Sequence, residues 1–259
     1  MAKVFIGVGH GGSDPGAVKY IKEADANLTM ALACADVLKA HGVEVKLSRT
    51  KDENDDINEE IRECNAYAPD LAIDVHNNAG GGDGFEVYHS INGGKGKTLA
   101  TNIEAEIKAI GQNSRGVRTR KNSKGADYYA FIRSTKCPAV ICEGVFVDNA
   151  TDADIADTVA EQKEFGKAYA RGILKTLGIA ETKTETKKDE SFLVKVTIPN
   201  LNIRTGAGTN YGVLGKCPKG VYTIIEVKVG KGSVAGWGKL KSSDTKNPKW
   251  ISLDYATRL

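Results

Sequence analysis

Val4-Phe5-Ile6-Gly7-Val8-Gly9-His10-Gly11-Gly12-Ser13-Asp14-Pro15-Gly16 is the stretch from which the rest of the chain is read. Its first five residues form a short apolar run rich in β-branched side chains, which reads as a buried strand. The glycine-rich loop that follows carries a histidine outside any regular pairing, free to turn its imidazole into a crevice. Glu23 opens the next helical pattern, so one loop delivers a nitrogen and a carboxylate oxygen, both zinc-type ligands. Two such residues prove little alone. The question is whether other strands bring matching groups to the same edge.

They do, by position. Residues 23–41 place Leu28, Ala31, Leu32, Ala35 and Leu38 at helical spacing before Gly42, a helix stop. Val43–Leu47 alternates as a strand, and Asp55–Ala66 reads as a polar helix with Ile57 and Ile61 inward. Leu71-Ala72-Ile73-Asp74-Val75-His76 is a strand ending in histidine, and Gly84–Tyr88 is the next. Lys97–Ile110 follows as a helix, then a basic loop from Arg115 to Asp127, then Tyr128–Arg133 as a short strand. Ala139-Val140-Ile141-Cys142-Glu143 is a strong strand, and the helix Ala160–Leu177 stops at Gly178. Strands alternating with helices predict an α/β fold, a mostly parallel twisted sheet with helices on both faces.

Residues 180–191 hold no apolar side chain larger than alanine, too little to offset ordering entropy, and read as a linker. From 192 onward the pattern changes to short strands punctuated by Gly206, Gly208, Gly212, Gly220 and Gly236, which suggests a small β-barrel. The expected domains are therefore 1–179 and 192–259. They differ in charge: residues 1–179 carry 22 basic and 26 acidic side chains, residues 192–259 carry 11 and 3. A basic second domain suits an anionic polymer. Its charges are spread between turns without a nucleic-acid motif. No run approaches the about 18 apolar residues that cross a membrane, so neither nucleic acid nor membrane is an expected partner. Five scattered cysteines without CxxC pairs argue against a disulfide framework. A strand signal within three residues of Met1 leads us to expect no secretory leader and synthesis in the cytoplasm.

In open α/β sheets ligands bind beyond the carboxyl ends of the strands. His10, His76 and Glu143 all lie at such ends, with Glu23 arriving from the helix. His10, Glu23 and His76 form a His₂Glu set that leaves a fourth position open, the pattern of a catalytic zinc. Glu143 is the candidate general base and acid; an acid closing a run of Val, Ile and Cys is costly to bury without a role. Asn77 and Asn78 are candidates to orient the ligands or to contact substrate. Each residue also has a plainer reading. A lone histidine after a strand is more often hydrogen-bonded structure than ligand, and Glu23 suits a helix start by charge alone. His89 is the reserve ligand, His41 sits at a helix end, and Cys142 reads as small apolar packing.

Gly9–Ala17, Glu23, Asp74–Ala79 and Glu143–Asn149 together resemble the type 3 N-acetylmuramoyl-L-alanine amidases, in the expected order across most of residues 1–178. The resemblance implies an enzyme with one zinc ion, cleaving the bond between N-acetylmuramic acid and L-alanine in bacterial peptidoglycan. It implies zinc ligation by His10, Glu23 and His76, and a catalytic Glu143. Members often carry Asp-Pro before the Gly-His pair, where this chain has Val8 ahead of Gly9, so the support of the His10 ring is left open. From Phe192, Leu201–Thr209 with Gly236-Trp237 and Trp250-Ile251 resembles a bacterial SH3 (SH3b) domain, implying an SH3-like barrel that binds the cell wall. Tyr211, Trp237 and Trp250 are candidates to line its groove or to form its core. The combination resembles a phage endolysin acting on the wall after release. A zinc carboxypeptidase or endopeptidase of the stem peptide, and an inactive wall-binding protein, are the alternatives.

Overall fold

The computed structural model describes residues 1–180, 191–243 and 248–259. The chain divides into two compact units, Met1–Thr182 and Lys183–Leu259; the linker expected at 180–191 lies, for residues 181–190, outside the described residues. No helix among the described residues is long and apolar enough to cross a membrane.

The first unit is an α/β fold. Its six strands are β1 (Lys3–Val8), β2 (Glu44–Leu47), β3 (Leu71–Asn78), β4 (Phe85–His89), β5 (Ser114–Arg118) and β6 (Ala139–Phe146), in the order β2-β1-β3-β6-β4-β5. All neighbours are parallel except β4 and β6. Alternation along each strand serves both faces. Val4, Ile6, Ile73, Val75, Val140 and Cys142 pack on one side beneath α1 (Glu23–Ala40), α3 (Gly94–Ala109) and α6 (Val159–Leu177). Phe5, Ala72, Ala139 and Ile141 pack on the other, towards α2 (Ile57–Tyr67) and α4 (Ala130–Ser134). A further turn, α5 (Ala150–Ala153), follows β6.

The helices begin and end where local chemistry dictates. Asp56 caps α2 by accepting from the Asn58 and Glu59 amides. Thr158 and Glu161 form a capping box on α6, which stops at Gly178 in the left-handed region. Helix α1 has no side-chain cap, because its N-cap residue is Lys22, whose ammonium has no acceptor to offer the helix amides.

Three expectations are corrected. Tyr128–Arg133 is not a strand: α4 covers Ala130–Ser134 and buries Phe131 and Ile132 together, a choice that a short apolar run leaves open. The loop expected from Arg115 contains strand β5 to Arg118. As an edge strand it pairs only with β4, and one free edge tolerates its basic side chains. Ile57 is exposed rather than inward; α2 buries Glu60 and Cys64 instead.

The second unit is all-β: β7 (Phe192–Val196), β8 (Leu201–Arg204), β9 (Val213–Cys217), β10 (Gly220–Lys228), β11 (Trp237–Leu240), β12 (Trp250–Ser252) and β13 (Ala256–Arg258). They join antiparallel in the order β13-β7-β10-β11-β12-β8-β9 around Val194, Val196, Ile224, Leu240 and Ile251. Strand β13, absent from the sequence reading, pairs with β7.

Candidate metal centre

The loop after β1 is fixed before its histidine is considered. Gly11 and Asp14 exchange backbone hydrogen bonds of 2.7 and 3.0 Å. Buried Arg49 donates to the carbonyls of Val8 (3.0 Å), Gly9 (3.3 Å), Ala24 (2.8 Å) and Lys51 (3.1 Å). Asn27 of α1 donates to the Gly9 carbonyl at 2.9 Å. Gly9 itself faces the His76 ring so closely that a Cβ there would collide with it. His10 adopts φ 64, rare for a non-glycine residue, and that turn aims its ring inward. The question left by Val8 has an answer in the same loop: His10 Nδ1 lies 2.8 Å from Asp14 Oδ2.

The inward nitrogen, Nε2, is 3.2 Å from Glu23 Oε1. His76 Nδ1 approaches the same oxygen at 3.1 Å. The two rings stand edge to face, centroids 5.0 Å apart. The Ala17 amide donates to Glu23 Oε2 at 2.9 Å and the Asn77 amide to Oε1 at 3.1 Å. The far nitrogen of His76, Nε2, lies 3.4 Å from Asp74 Oδ2.

Electrostatically the cluster is a cradle for positive charge. Its hydrogen bond to Glu23 raises the His10 pKa against the opposing effect of burial, with Asp14 adding to the rise. Burial works against charge on His76, but Asp74 and Glu23 outweigh it and the pKa stands well above its ordinary value. Burial likewise opposes charge on Glu23, yet the two histidines hold its carboxyl below the usual carboxylate range.

Glu143 of β6 is the direct register partner of His76 on β3, so the two side chains share the face that looks towards α2 and α4. Burial pushes its carboxyl up to about 7; the charge of His76 offsets part of this, while Glu23, Asp74 and Glu86 add to it. A carboxyl with its pKa near neutrality is suited to take a proton and return it.

The remaining candidates sort by where they point. Asn77 is buried and its side chain is committed, donating to Asn27 Oδ1 at 2.8 Å and accepting from the Val145 amide at 3.0 Å. Alternation turns it to the opposite face from His76. Asn78 donates to Glu86 Oε2 at 3.3 Å and accepts from the Ala79 amide. His89 is buried with Nδ1 2.7 Å from the Ser90 carbonyl and takes no part in the cluster. His41 Nδ1 lies 2.8 Å from the Val37 carbonyl. Cys142 is buried on the face opposite Glu143, and burial pushes its thiol well up, so it stays protonated packing. In the second unit Trp237 and Trp250 are buried, Trp237 donating to the Gly230 and Lys231 carbonyls. Both rings are buried outside the apolar cluster of this unit, with Arg204 over the Trp237 ring and Lys228 and Lys239 over that of Trp250, while Tyr211 is exposed.

Asp14, Asn27, Arg49, Asp74 and Glu60 carry supporting roles that sequence reading did not assign. Asp74 was legible by alternation, two residues before His76 on one strand face. Glu60 was not: its carboxyl reaches across from α2 to lie over Gly7, beside Asp74, where any Cβ on β1 would collide with it. Glu60 Oε1 and Asp74 Oδ1 are both buried without a hydrogen-bond partner. Burial first, and the nearby Asp74 charge second, raise the Glu60 pKa well above its ordinary value.

A family model for N-acetylmuramoyl-L-alanine amidases matches residues 4–175. The chain belongs to this family. It is 31% identical over 212 residues to the sporulation-specific N-acetylmuramoyl-L-alanine amidase of Bacillus subtilis (strain 168), covering 80% of this chain and 78% of that protein. It is 33% identical over 186 residues to the endolysin of Bacillus phage SPP1, covering 68% of this chain and 66% of the phage protein. Among solved structures, the catalytic domain of CwlV, an N-acetylmuramoyl-L-alanine amidase from Bacillus (Paenibacillus) polymyxa var. colistinus, superposes with a TM-score of 0.63 at 26% identity, over 70% of this chain and 100% of that one.

Enzymes of this amidase family are generally zinc-dependent, and the residues present fit that ion. One ligand atom from each of His10, Glu23 and His76 lies within 4.8 Å of the others. Two atoms each about 2.0–2.1 Å from a tetrahedral zinc stand roughly 3.3 Å apart, close to the two histidine–Glu23 separations of 3.2 and 3.1 Å. Both histidines have a carboxylate at the far ring nitrogen, the arrangement that fixes tautomer and orientation in zinc sites.

Proposed function

We propose that the chain is a zinc-dependent N-acetylmuramoyl-L-alanine amidase that acts on bacterial peptidoglycan. The observation that carries this reading is the convergence of His10 Nε2 and His76 Nδ1 on one Glu23 oxygen, with Glu143 in register beside His76. His10, Glu23 and His76 would hold the ion, which when bound supplies a Lewis acid for the scissile carbonyl and lowers the pKa of water. Glu143 takes the proton of the attacking water and delivers it to the departing amine of L-alanine. The C–N bond breaks, leaving a carboxyl on the muramic acid side and a free amine on the peptide. Asp14 and Asp74 hold the histidine rings in place, and Asn77 holds Glu23 through its backbone amide.

The second unit, in the same reading, is an SH3b-like wall-binding module with a barrel architecture. Its excess of basic residues, 11 against 3 acidic in 192–259, suits an anionic wall polymer, and its exposed Tyr211 remains available as a contact. The place of action is the bacterial wall.

Mass spectrometry of muropeptides after digestion of purified walls tests the reading, with wild type and His76→Ala compared. New free L-alanine amino ends on an intact glycan, absent with the variant, are expected. New ends inside the stem peptide would assign a carboxypeptidase or endopeptidase instead.

A further inference from the structure

Beyond Glu143 the sheet continues for two more strands, and their side chains carry a chemistry that hydrolysis does not use. The register gives the layout. On the face that bears His76 and Glu143, the next residue across is Glu86 of β4, the direct partner of Glu143. One row behind come Ile141, Tyr88 and Arg118. Arg115 Nε lies 2.5 Å and Arg118 Nη1 3.2 Å from the same Glu86 oxygen, and the Tyr88 hydroxyl donates to the other at 2.7 Å. One buried carboxylate thus answers two guanidinium groups.

A third, Arg120, has no carboxylate partner among the described residues. It is nevertheless held in place. Its guanidinium carbon lies 3.7 Å from the centre of the Tyr128 ring. Tyr129 in turn packs against Tyr88 and Tyr128, centroids 4.8 and 5.1 Å apart. Tyr88, Arg118, Thr119 and Arg120 wall an open recess at this point. A planar guanidinium stacked on a ring and lacking a partner presents its free donors to a carboxylate in bidentate geometry.

We propose that this recess seats a free carboxylate of the peptide released by cleavage, borne two or three residues beyond the cut amide. The inference rests on the amidase reading, which places the departing peptide on the Glu143 side. Gly116 of edge strand β5 lies two strands across from Glu143, about 10 Å at the usual spacing, and Arg120 follows four residues later, past the end of β5. An extended peptide advances about 3.3 Å per residue, so a carboxylate held out on the side chain of its second or third residue is met by the long Arg120 side chain while the amide lies at Glu143. A separate anionic polymer has no such tether to the site, whereas the substrate peptide is delivered there by its own covalent chain.

The test is equilibrium binding, which does not depend on turnover. The full chain carrying Glu143→Gln is titrated by calorimetry with two synthetic N-acetylmuramoyl tripeptides. They differ only in whether the carboxylates of the second and third residues are free or amidated. The free form is expected to bind about tenfold more tightly, and adding Arg120→Gln is expected to erase that difference without lowering the melting temperature. Equal binding of the two peptides to Glu143→Gln overturns the subsite, whether or not the wild type cleaves them. A preserved tenfold preference in the double variant likewise removes Arg120 from it. Failure of the wild type to release L-alanine peptides, with the binding preference intact, would count against the amidase reading and leave the subsite standing.

Discussion

His10 and His76 offer their rings to the same Glu23 oxygen, yet they are held by opposite means. His10 rides on a loop, at a positive φ, and its far nitrogen is steadied by Asp14, a carboxylate whose side chain is 67% exposed. His76 closes a central strand, and its far nitrogen faces Asp74, which is 1% exposed and backed by the buried Glu60. Water and salt screen the first contact and barely reach the second. The loop histidine is set mainly by main-chain ties, through Arg49 and Asn27 to Gly9, whereas the strand histidine is set by a buried side-chain charge. The same ligand geometry is reached once through backbone and once through electrostatics.

Variants can break this contrast in graded steps. Glu23→Gln touches both histidines and is expected to abolish zinc retention, read by metal analysis after dialysis; a stoichiometric ion in that variant would remove Glu23 from the site. Asp74→Asn removes the buried support of His76 and should weaken zinc binding by about 10–100-fold in competition with a chromophoric chelator. Asp14→Asn should cost less, roughly a few-fold by the same assay, because exposure screens the contact it removes. Equal losses for the two would erase the distinction drawn between them.

The smallest effect is a stability change on the His76 side. The Glu143 pKa is raised from 4.5 to about 7 in the folded chain. A raised pKa means that the folded state holds this proton more tightly than the unfolded chain. The associated stability is therefore present below pH 4.5 and is lost as pH rises through about 7. Glu143→Gln, which cannot ionise, should unfold later than wild type at pH 8 in the metal-free form, by about 1–2 kcal/mol after discounting for partial exposure. At pH 4 the two should coincide. Denaturant melts at both values decide it.

Much of this was legible because the informative groups sit at strand ends. Val4–Val8, Leu71–His76 and Ala139–Glu143 announce buried strands by composition, and their final polar residues fall together once the strands are parallel. Glu23 was legible as the first helical residue after the loop. What escaped depended on contacts between segments remote in sequence. Glu60 lies on a helix that the pattern drew with Ile57 inward, and only the notch at Gly7 accounts for burying an acid there. Arg49 follows a short strand with nothing local to mark it as buried. Tyr128–Arg133 failed for the usual reason, a short apolar run without period. In the second unit Trp237 and Trp250 fitted either a groove or a core, and their burial beneath Arg204, Lys228 and Lys239 depends on contacts between strands that composition does not announce.

Arg49 carries a consequence for how the site comes into being. One buried guanidinium gathers main-chain oxygens from the end of β1, the first turn of α1 and the segment after β2. The shape of the His10 loop is therefore a product of chain collapse and does not wait for an ion. Small zinc modules unfold when chelated, since there the metal does the work of a core. Here the cavity is cast first, and a chelator would empty the mould without melting it.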